Sequence, residues 1–353
     1  MFGAGKTTLV CTMRSMYGRK RDRLRALFTG ERTKGIEVQS IKKDGIRVSL
    51  WDMAGQSEFH AFHDCMFPDI GSSAYQLPSM FMFVWSPIDS KSGKKGAVKN
   101  EKNFETSFRY WLRFLASKCR QSNIALRVMV VFTRADQMVS ASSSLSPFID
   151  SLRSDFRGVI DIFNPPFDVD ARKKNFVKPV ADHIFVIAKD MLQGIQVYNI
   201  CTRVNKILAK HSKKTNEQII TWEKFRKICS PFHSPNDNAK LEAIALCLNE
   251  SGHIIYINGI KHIVLNPNWF CNEIMGSLIH FPNSKASKLK GTIVFEKGYI
   301  PKSFLEEKFE SITKFKGEGS LLIQLMEAMH LCCKVPDNHG DLIFIPALLS
   351  KDM

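Results

Sequence analysis

Near the head of the chain, Gly3-Ala4-Gly5 is followed by Lys6, Thr7 and Thr8. Small residues let consecutive backbone N–H groups close around phosphate oxygens, a lysine neutralises β- and γ-phosphate charge, and a threonine hydroxyl can complete a Mg²⁺ shell. Further along stands Asp52-Met53-Ala54-Gly55-Gln56. There the Asp52 carboxylate can hold Mg²⁺ through a water, the Gly55 N–H can bind a terminal phosphate, and the Gln56 amide can orient an attacking water. A third group is Thr133-Arg134-Ala135-Asp136. A carboxylate here can accept two hydrogen bonds, from the N1–H and exocyclic amine of guanine, donors that adenine does not present together. The long stem and planar head of Arg134 can lie along a base. An anion cradle, a hard-cation ligand and a base reader together describe a site for a purine nucleoside triphosphate with Mg²⁺.

Such groups need a scaffold that brings them to one edge. The apolar spacing from Thr8 through Met16 predicts a helix whose N-terminal dipole faces the phosphates. Ile36 to Lys42 and Ile46 to Trp51 read as two strands around an Asp44-Gly45 turn, and the second opens directly into Asp52. Thr33, in Thr33-Lys34-Gly35-Ile36, lies just ahead of the first of these strands, where a threonine can ligate Mg²⁺ and contact the γ-phosphate. Met80 to Trp85 is a buried strand by composition, followed by a Ser/Lys/Gly-rich insertion from Ser86 to Asn103 and a helix from about Phe104 to Cys119. Ala125 to Phe132 is a second buried strand and delivers Thr133. His183 to Ile187 reads as a further strand running into Ala188-Lys189, with the Ala188 N–H placed to contact the guanine oxygen. A helix from about Ile195 to Lys210 closes the β/α domain. The full phosphate-loop pattern G-x-x-x-x-G-K-[ST] would put its leading glycine before Met1, along with the strand that feeds it. The chain therefore reads as a fragment or a mis-set start.

Bulk properties bound the rest. With 353 residues, 44% of them hydrophobic, two domains are expected. Lys and Arg number 50 against 34 Asp and Glu, a formal charge of +16. That excess suits nucleic acid, an anionic membrane surface, anionic ligands or simply a solvated face. The basic residues gather in two loops, around Arg19 to Arg25 and Lys91 to Lys102, which favours solvated loops. Nine cysteines, with no C-x-x-C pair and no zinc spacing, point to free thiols in a reducing compartment, hence a cytoplasmic protein. No apolar run reaches membrane-spanning length. His60 and His63 suit acid–base chemistry, but phosphoryl transfer needs positioning and charge more than a histidine base. Cys332-Cys333 is expected in a helix as paired buried thiols.

The D-x-x-G-Q pattern resembles switch II of Ras-like GTPases. Leu50-Trp51-Asp52-Met53-Ala54-Gly55-Gln56-Ser57-Glu58-Phe59-His60, the later Phe67-Pro68 and threonine at Thr133 resemble Roc domains. In the second half, Trp222 to Cys229 and Asn238 to Asn249 read as helices, and His253 to Ile257 with His262 to Leu265 as a hairpin around Asn258-Gly259. Leu265-Asn266-Pro267-Asn268-Trp269 resembles the L-N-P-x-W segment of COR domains. The chain thus resembles the Roco family, and within it the plant Tornado type. The resemblance implies a Ras-like P-loop GTPase fold over residues 1–212, a doubly wound α/β sheet lacking its first strand. It implies an α+β COR-A-like domain of winged-helix character over 213–353, with COR-B absent. It implies GTP/GDP and Mg²⁺ as ligands: Gly3, Ala4, Gly5, Lys6, Thr7, Thr8 and Gly55 on phosphate, and Thr7, Thr33 and Asp52 on the metal. Thr133, Arg134, Asp136, Ala188 and Lys189 would read guanine, and Gln56 would be catalytic. A slow signalling switch regulated by its COR domain follows, with protein effectors or regulators and dimerisation in a full-length chain. Phe2, where Ras-like loops prefer a small residue, would obstruct a partner's arginine finger. The alternative is a catalytically dead scaffold that retains the fold. An ATP-driven switch is disfavoured by Gln56 and Asp136. A nucleic-acid module is disfavoured because residues 222–265 lack dense Arg/Lys and aromatic interleaving.

Overall fold

The computed structural model describes residues 4–18, 36–54, 78–88, 101–118, 125–137, 141–193, 199–232, 237–279, 298–313, 317–337 and 340–349. Chain contacts divide them into two units, one holding the elements up to residue 193 apart from Ile36–Val38 and Met53–Ala54, and the other mainly the elements from residue 199 onward.

The first unit is built around one strand. Helix α1 (Lys6–Tyr17) is followed by the hairpin β1 (Ile36–Lys43) and β2 (Ile46–Met53), whose turn places Asp44 and Gly45 at φ 48° and 83°. Two successive left-handed residues match the right-handed twist of a hairpin, which is what an Asp-Gly pair provides. Strand β3 (Met80–Trp85), helix α2 (Glu101–Lys118), strand β4 (Leu126–Thr133), helix α3 (Ala141–Asp155), strands β5 (Ile160–Ile162) and β6 (Phe167–Val169), and helix α4 (Lys174–Met191) complete the unit. β4 pairs in parallel with β3 along one edge. Along the other, it pairs with β5 at Leu126–Val128 and with β6 at Val131–Thr133. Parallel strands covered on both faces read as unbroken apolar runs, as Val128–Phe132 does.

Side chains of β4 alternate between two cores. Met129 and Val131 join Leu9 and Met13 of α1 and Val177, Val180, Ala181 and Ile184 of α4. On the opposite face Phe132 meets Phe104 of α2 at 5.4 Å between ring centroids, within a group that includes Phe83, Trp85 and Phe108. Aromatic pairs of this kind add about 0.5–1.5 kcal/mol each beyond their buried area. The layout is doubly wound α/β, as expected from the sequence.

One expected element is a different structure. His183 to Ile187 is not a strand but the middle of α4. Buried Val177, Val180, Ala181, Ile184 and Ile187 recur at helical spacing, while Val186 inside the supposed strand is 63% exposed. The amphipathic period over the longer stretch overrides the β-branched composition of the short one.

In the second unit, helix α5 (Asn199–Thr215) sends Cys201, Val204 and Leu208 into a core shared with α6 (Trp222–Cys229) and α7 (Asn238–Glu250). The helix expected to close the first domain therefore packs with the second. Strands β7 (Ile219–Thr221), β8 (Ile255–Tyr256) and β9 (His262–Val264) form an antiparallel sheet in the order β7-β9-β8, so the expected hairpin gains a third strand. The Thr221 hydroxyl caps α6 by accepting from the Lys224 N–H, and Asp237 caps α7 at the Lys240 N–H. In the L-N-P-x-W segment, Asn266 caps a short helix, α8 (Pro267–Trp269), by accepting from the Trp269 N–H. That helix continues as a π-helical stretch (Phe270–Met275) and then α9 (Gly276–Ile279).

Beyond these, β10 (Tyr299–Pro301), helices α10 (Lys302–Thr313) and α11 (Glu318–Ala328), and strands β11 (Cys333–Asp337) and β12 (Gly340–Phe344) make a second three-stranded antiparallel sheet, in the order β10-β12-β11. Cys332 and Cys333 lie past the end of α11, one buried and the other exposed, so they are not a buried pair within a helix. Among the described residues no helix is long and apolar enough to cross a membrane.

Candidate nucleotide site

The ends of β2 and β4 and the start of α1 carry residues singled out by the sequence. Gly5 stands immediately before α1 at φ 77°, in the left-handed region that glycine enters without a Cβ penalty. It has no side chain to cap the helix, and the first turn contains no acidic residue. The positive end of the α1 dipole is thus left uncountered by its own first turn, the condition under which a helix start attracts an anion. Ala4 is buried, Lys6 and Thr7 are half-buried, and Thr8 is exposed.

Asp52 is 3% exposed near the end of β2. Burial depresses Lys6 below the ordinary lysine value, and attraction to the Asp52 carboxylate works in the opposite direction. Asp52 and the Thr7 hydroxyl are hard oxygen donors. They fit Mg²⁺, which takes few protein ligands and fills its octahedron with water and phosphate oxygens. Gly3, Thr33, Gly55 and Gln56 lie outside the described residues, as do Phe2, His60 and His63.

Thr133 joins the turn that carries Asp136 to the loop before α1. Its buried hydroxyl lies 2.7 Å from the Ala4 carbonyl oxygen and 3.3 Å from that of Trp85, and so spans the loop before α1, β3 and β4. Arg134, the next residue, sits at φ 62°. A bulky side chain in the left-handed region stores backbone strain, and such positions concentrate at functional sites. The turn is fixed by Ala135 N–H donating to the Val169 carbonyl at 3.1 Å and Gln137 N–H to the Arg134 carbonyl at 2.9 Å. Asp136 follows with its side chain 24% exposed.

Ala188 and Lys189 do not reach this edge. They occupy the last turn of α4, where the Ala188 carbonyl accepts the Leu192 N–H. At 1.5 Å per residue, Ala188 lies about 20 Å along the axis from the start of α4. The loop beside Asp136 is instead Asp170-Ala171-Arg172, which joins β6 to α4. The Thr12 hydroxyl of α1 donates to the Ala171 carbonyl at 2.6 Å, and Arg172 donates to Asp136 at 2.8 Å. Asp170 is buried and held below the usual carboxylate range, chiefly by the Arg172 guanidinium. Sequence reasoning passed over this loop. Its available signal was the short Phe167-Asp168-Val169 alternation just ahead of a long amphipathic helix.

Comparison with known proteins adds to this geometry. A family model described as "C-terminal of Roc, COR-A domain" matches residues 201–349. The chain is 27% identical over 348 residues to Protein TORNADO 1 of Arabidopsis thaliana, covering 90% of this chain and 24% of that protein. It is 23% identical over 337 residues to the death-associated protein kinase dapk-1 of Caenorhabditis elegans, covering 85% of this chain and 21% of the relative. The chain thus spans under a quarter of the length of these two relatives. A structure of the Arl6 (BBS3) small GTPase of Trypanosoma brucei, with a bound nucleotide analogue, aligns at a TM-score of 0.37 and 14% identity, over 54% of this chain and 93% of that one. An α/β region followed by a match to the COR-A model over residues 201–349 is similar to the Roc–COR arrangement that the sequence resemblance implied.

Proposed function

We propose that the chain binds guanine nucleotide with Mg²⁺ and acts as a slow GTP/GDP switch influenced by its COR-A domain. The observation that carries this reading is the Thr133 hydroxyl bound to the Ala4 carbonyl. Through it, the loop that starts α1 and the turn that bears Asp136 become one structural group. Backbone N–H groups from Gly5 to Thr8 and the Lys6 ammonium take the phosphates. Thr7 and Asp52 would hold Mg²⁺, and the ion would supply charge neutralisation to the phosphates. Asp136 accepts from guanine N1–H and the exocyclic amine, and the Ala171 N–H replaces Ala188 as the donor to the guanine oxygen. Gln56 orients the attacking water. With no arginine finger evident in cis among the described residues, turnover is expected at roughly 10⁻⁴ to 10⁻² per second. Protein effectors, and a second Roco chain in the full-length protein, are the partners this reading implies.

Competition of GTP, ATP and XTP against a fluorescent guanine nucleotide, with Mg²⁺ present, tests the reading. Preference for GTP over ATP, lost in Lys6→Ala and shifted toward XTP in Asp136→Asn, supports it. Equal competition by ATP and GTP sinks the base assignment, and absence of binding by all three leaves the non-catalytic scaffold as the function.

A further inference from the structure

We infer that Arg172, held by Asp170, is a positioning residue that orients the Asp136 carboxylate for guanine; the inference rests on the nucleotide reading above. Arg172 makes a two-point contact with Asp170: Nε donates to Oδ1 at 2.9 Å and an Nη2 hydrogen to Oδ2 at 3.0 Å. The Arg172 backbone N–H also donates to Asp170 Oδ1 at 3.1 Å, and Lys173 Nζ stands 3.7 Å from Oδ2. Asp170 has only 3% of its side chain exposed, so the anchor is fixed in the protein interior. From that anchor, Nη2 reaches Asp136 Oδ2 at 2.8 Å.

Stability is not what this chain of contacts supplies. The Arg172 side chain is 64% exposed, and ion pairs at that exposure contribute little to folding. What the geometry does supply is direction. A carboxylate on a turn rotates broadly about its last torsion, since terminal sp³–sp² torsions have no sharp wells. Guanine offers two donors side by side, and both are met only when the carboxylate plane coincides with the base plane. Pinning one oxygen from a rigid guanidinium fork fixes that plane. The two oxygens together carry about four acceptor positions, so Oδ2 can accept from Arg172 and still face the base. Lysine would bring the same charge without the fork, which makes the two residues unequal here.

The rest of the environment agrees. Asp170 and Asp136 both hold the Arg172 guanidinium in its charged form, with Asp170 the stronger influence. Ala171, between them, has its carbonyl tied to Thr12 of α1, so the loop carrying Arg172 is fastened on both sides.

The experiment uses the whole chain, with Arg172→Ala and Arg172→Lys variants. GDP, ADP, IDP (whose base lacks the exocyclic amine) and inorganic tripolyphosphate each compete against a fluorescent GDP analogue. In Arg172→Ala the preference for GDP over ADP is expected to fall about tenfold, the scale of one misdirected charged hydrogen bond. The GDP-over-IDP ratio should shrink, and the tripolyphosphate affinity should stay unchanged. Arg172→Lys should resemble the alanine variant. Unchanged or increased guanine preference in Arg172→Ala overturns the inference, the increase showing that Arg172 competes with the base. Full recovery in Arg172→Lys also overturns it, because charge alone would then suffice. A wild-type chain that binds GDP no better than ADP defeats the nucleotide reading itself, and the variants are compared only after that control.

Discussion

The hydroxyl of Thr133 hydrogen-bonds the carbonyl oxygen of Ala4 at 2.7 Å, across 129 residues of sequence. The bond is buried at both ends, since Thr133 and Ala4 are each 2% exposed. Replacing Thr133 with valine keeps the shape and removes the donor, leaving a buried carbonyl without its partner. That costs about 1–3 kcal/mol. Thr133→Val should therefore lower the urea midpoint and weaken nucleotide binding together. Unchanged stability would show that the Ala4 carbonyl finds another donor.

Nucleotide affinity should carry the proton of Lys6. Burial lowers this lysine below its ordinary 10.5, and incoming phosphates raise it again by attraction. Affinity is then full below the lowered value and falls as pH rises through it. Lys6→Arg stays charged throughout and should flatten the profile. Titrations at several alkaline pH values measure this directly, and a flat wild-type profile would reject the role of Lys6.

Asp182 joins three elements of the first unit. Its carboxylate accepts from the Tyr17 hydroxyl and the Lys43 ammonium, each at 2.7 Å, and from Lys178. Lys178 first, then Lys43, hold it well below the ordinary 3.8. A depressed carboxylate contributes stability that is present above its unfolded value and lost as pH falls below it. Asp182→Asn should thus lower stability by about 1 kcal/mol at neutral pH, a figure discounted for solvent screening, and by progressively less in acid. Thermal melts of both proteins between neutral pH and strong acid check the convergence, and a constant gap would contradict the ionic account.

Lys189→Ala should leave nucleotide affinity indistinguishable from wild type, because the residue is exposed in the last turn of α4. Any specific loss of guanine preference in this variant would restore Lys189 to the site and place the Asp170–Arg172 loop in question.

Much of the first unit was legible because its signals are local. The Asp44-Gly45 turn fixes its hairpin, and the apolar runs ending in Trp85 and Thr133 read directly as parallel core strands. The assignment of Ala188 failed for a definable reason. Within five residues, His183 to Ile187 has strand composition, and only a window reaching back to Val177 shows the helical period. The Asp170–Arg172 loop follows β6, a strand of three residues, too short to show alternation clearly. Its link to Asp136 depends on a side-chain bond across 36 residues, which no periodicity encodes. The helix Asn199–Thr215 was legible as a helix, but its allegiance depends on which core receives Cys201, Val204 and Leu208. That is a tertiary fact.

β4 is paired along six residues with β3, yet its other edge is shared by two separate three-residue strands. A ladder this short opens at low free energy, since few hydrogen bonds must break together. The loop beside Asp136 joins β6 to α4 and is fastened to α1 as well, through the Thr12 hydroxyl on the Ala171 carbonyl. In amide-exchange terms, Phe167–Val169 are expected to lose protection before the β3–β4 pair does.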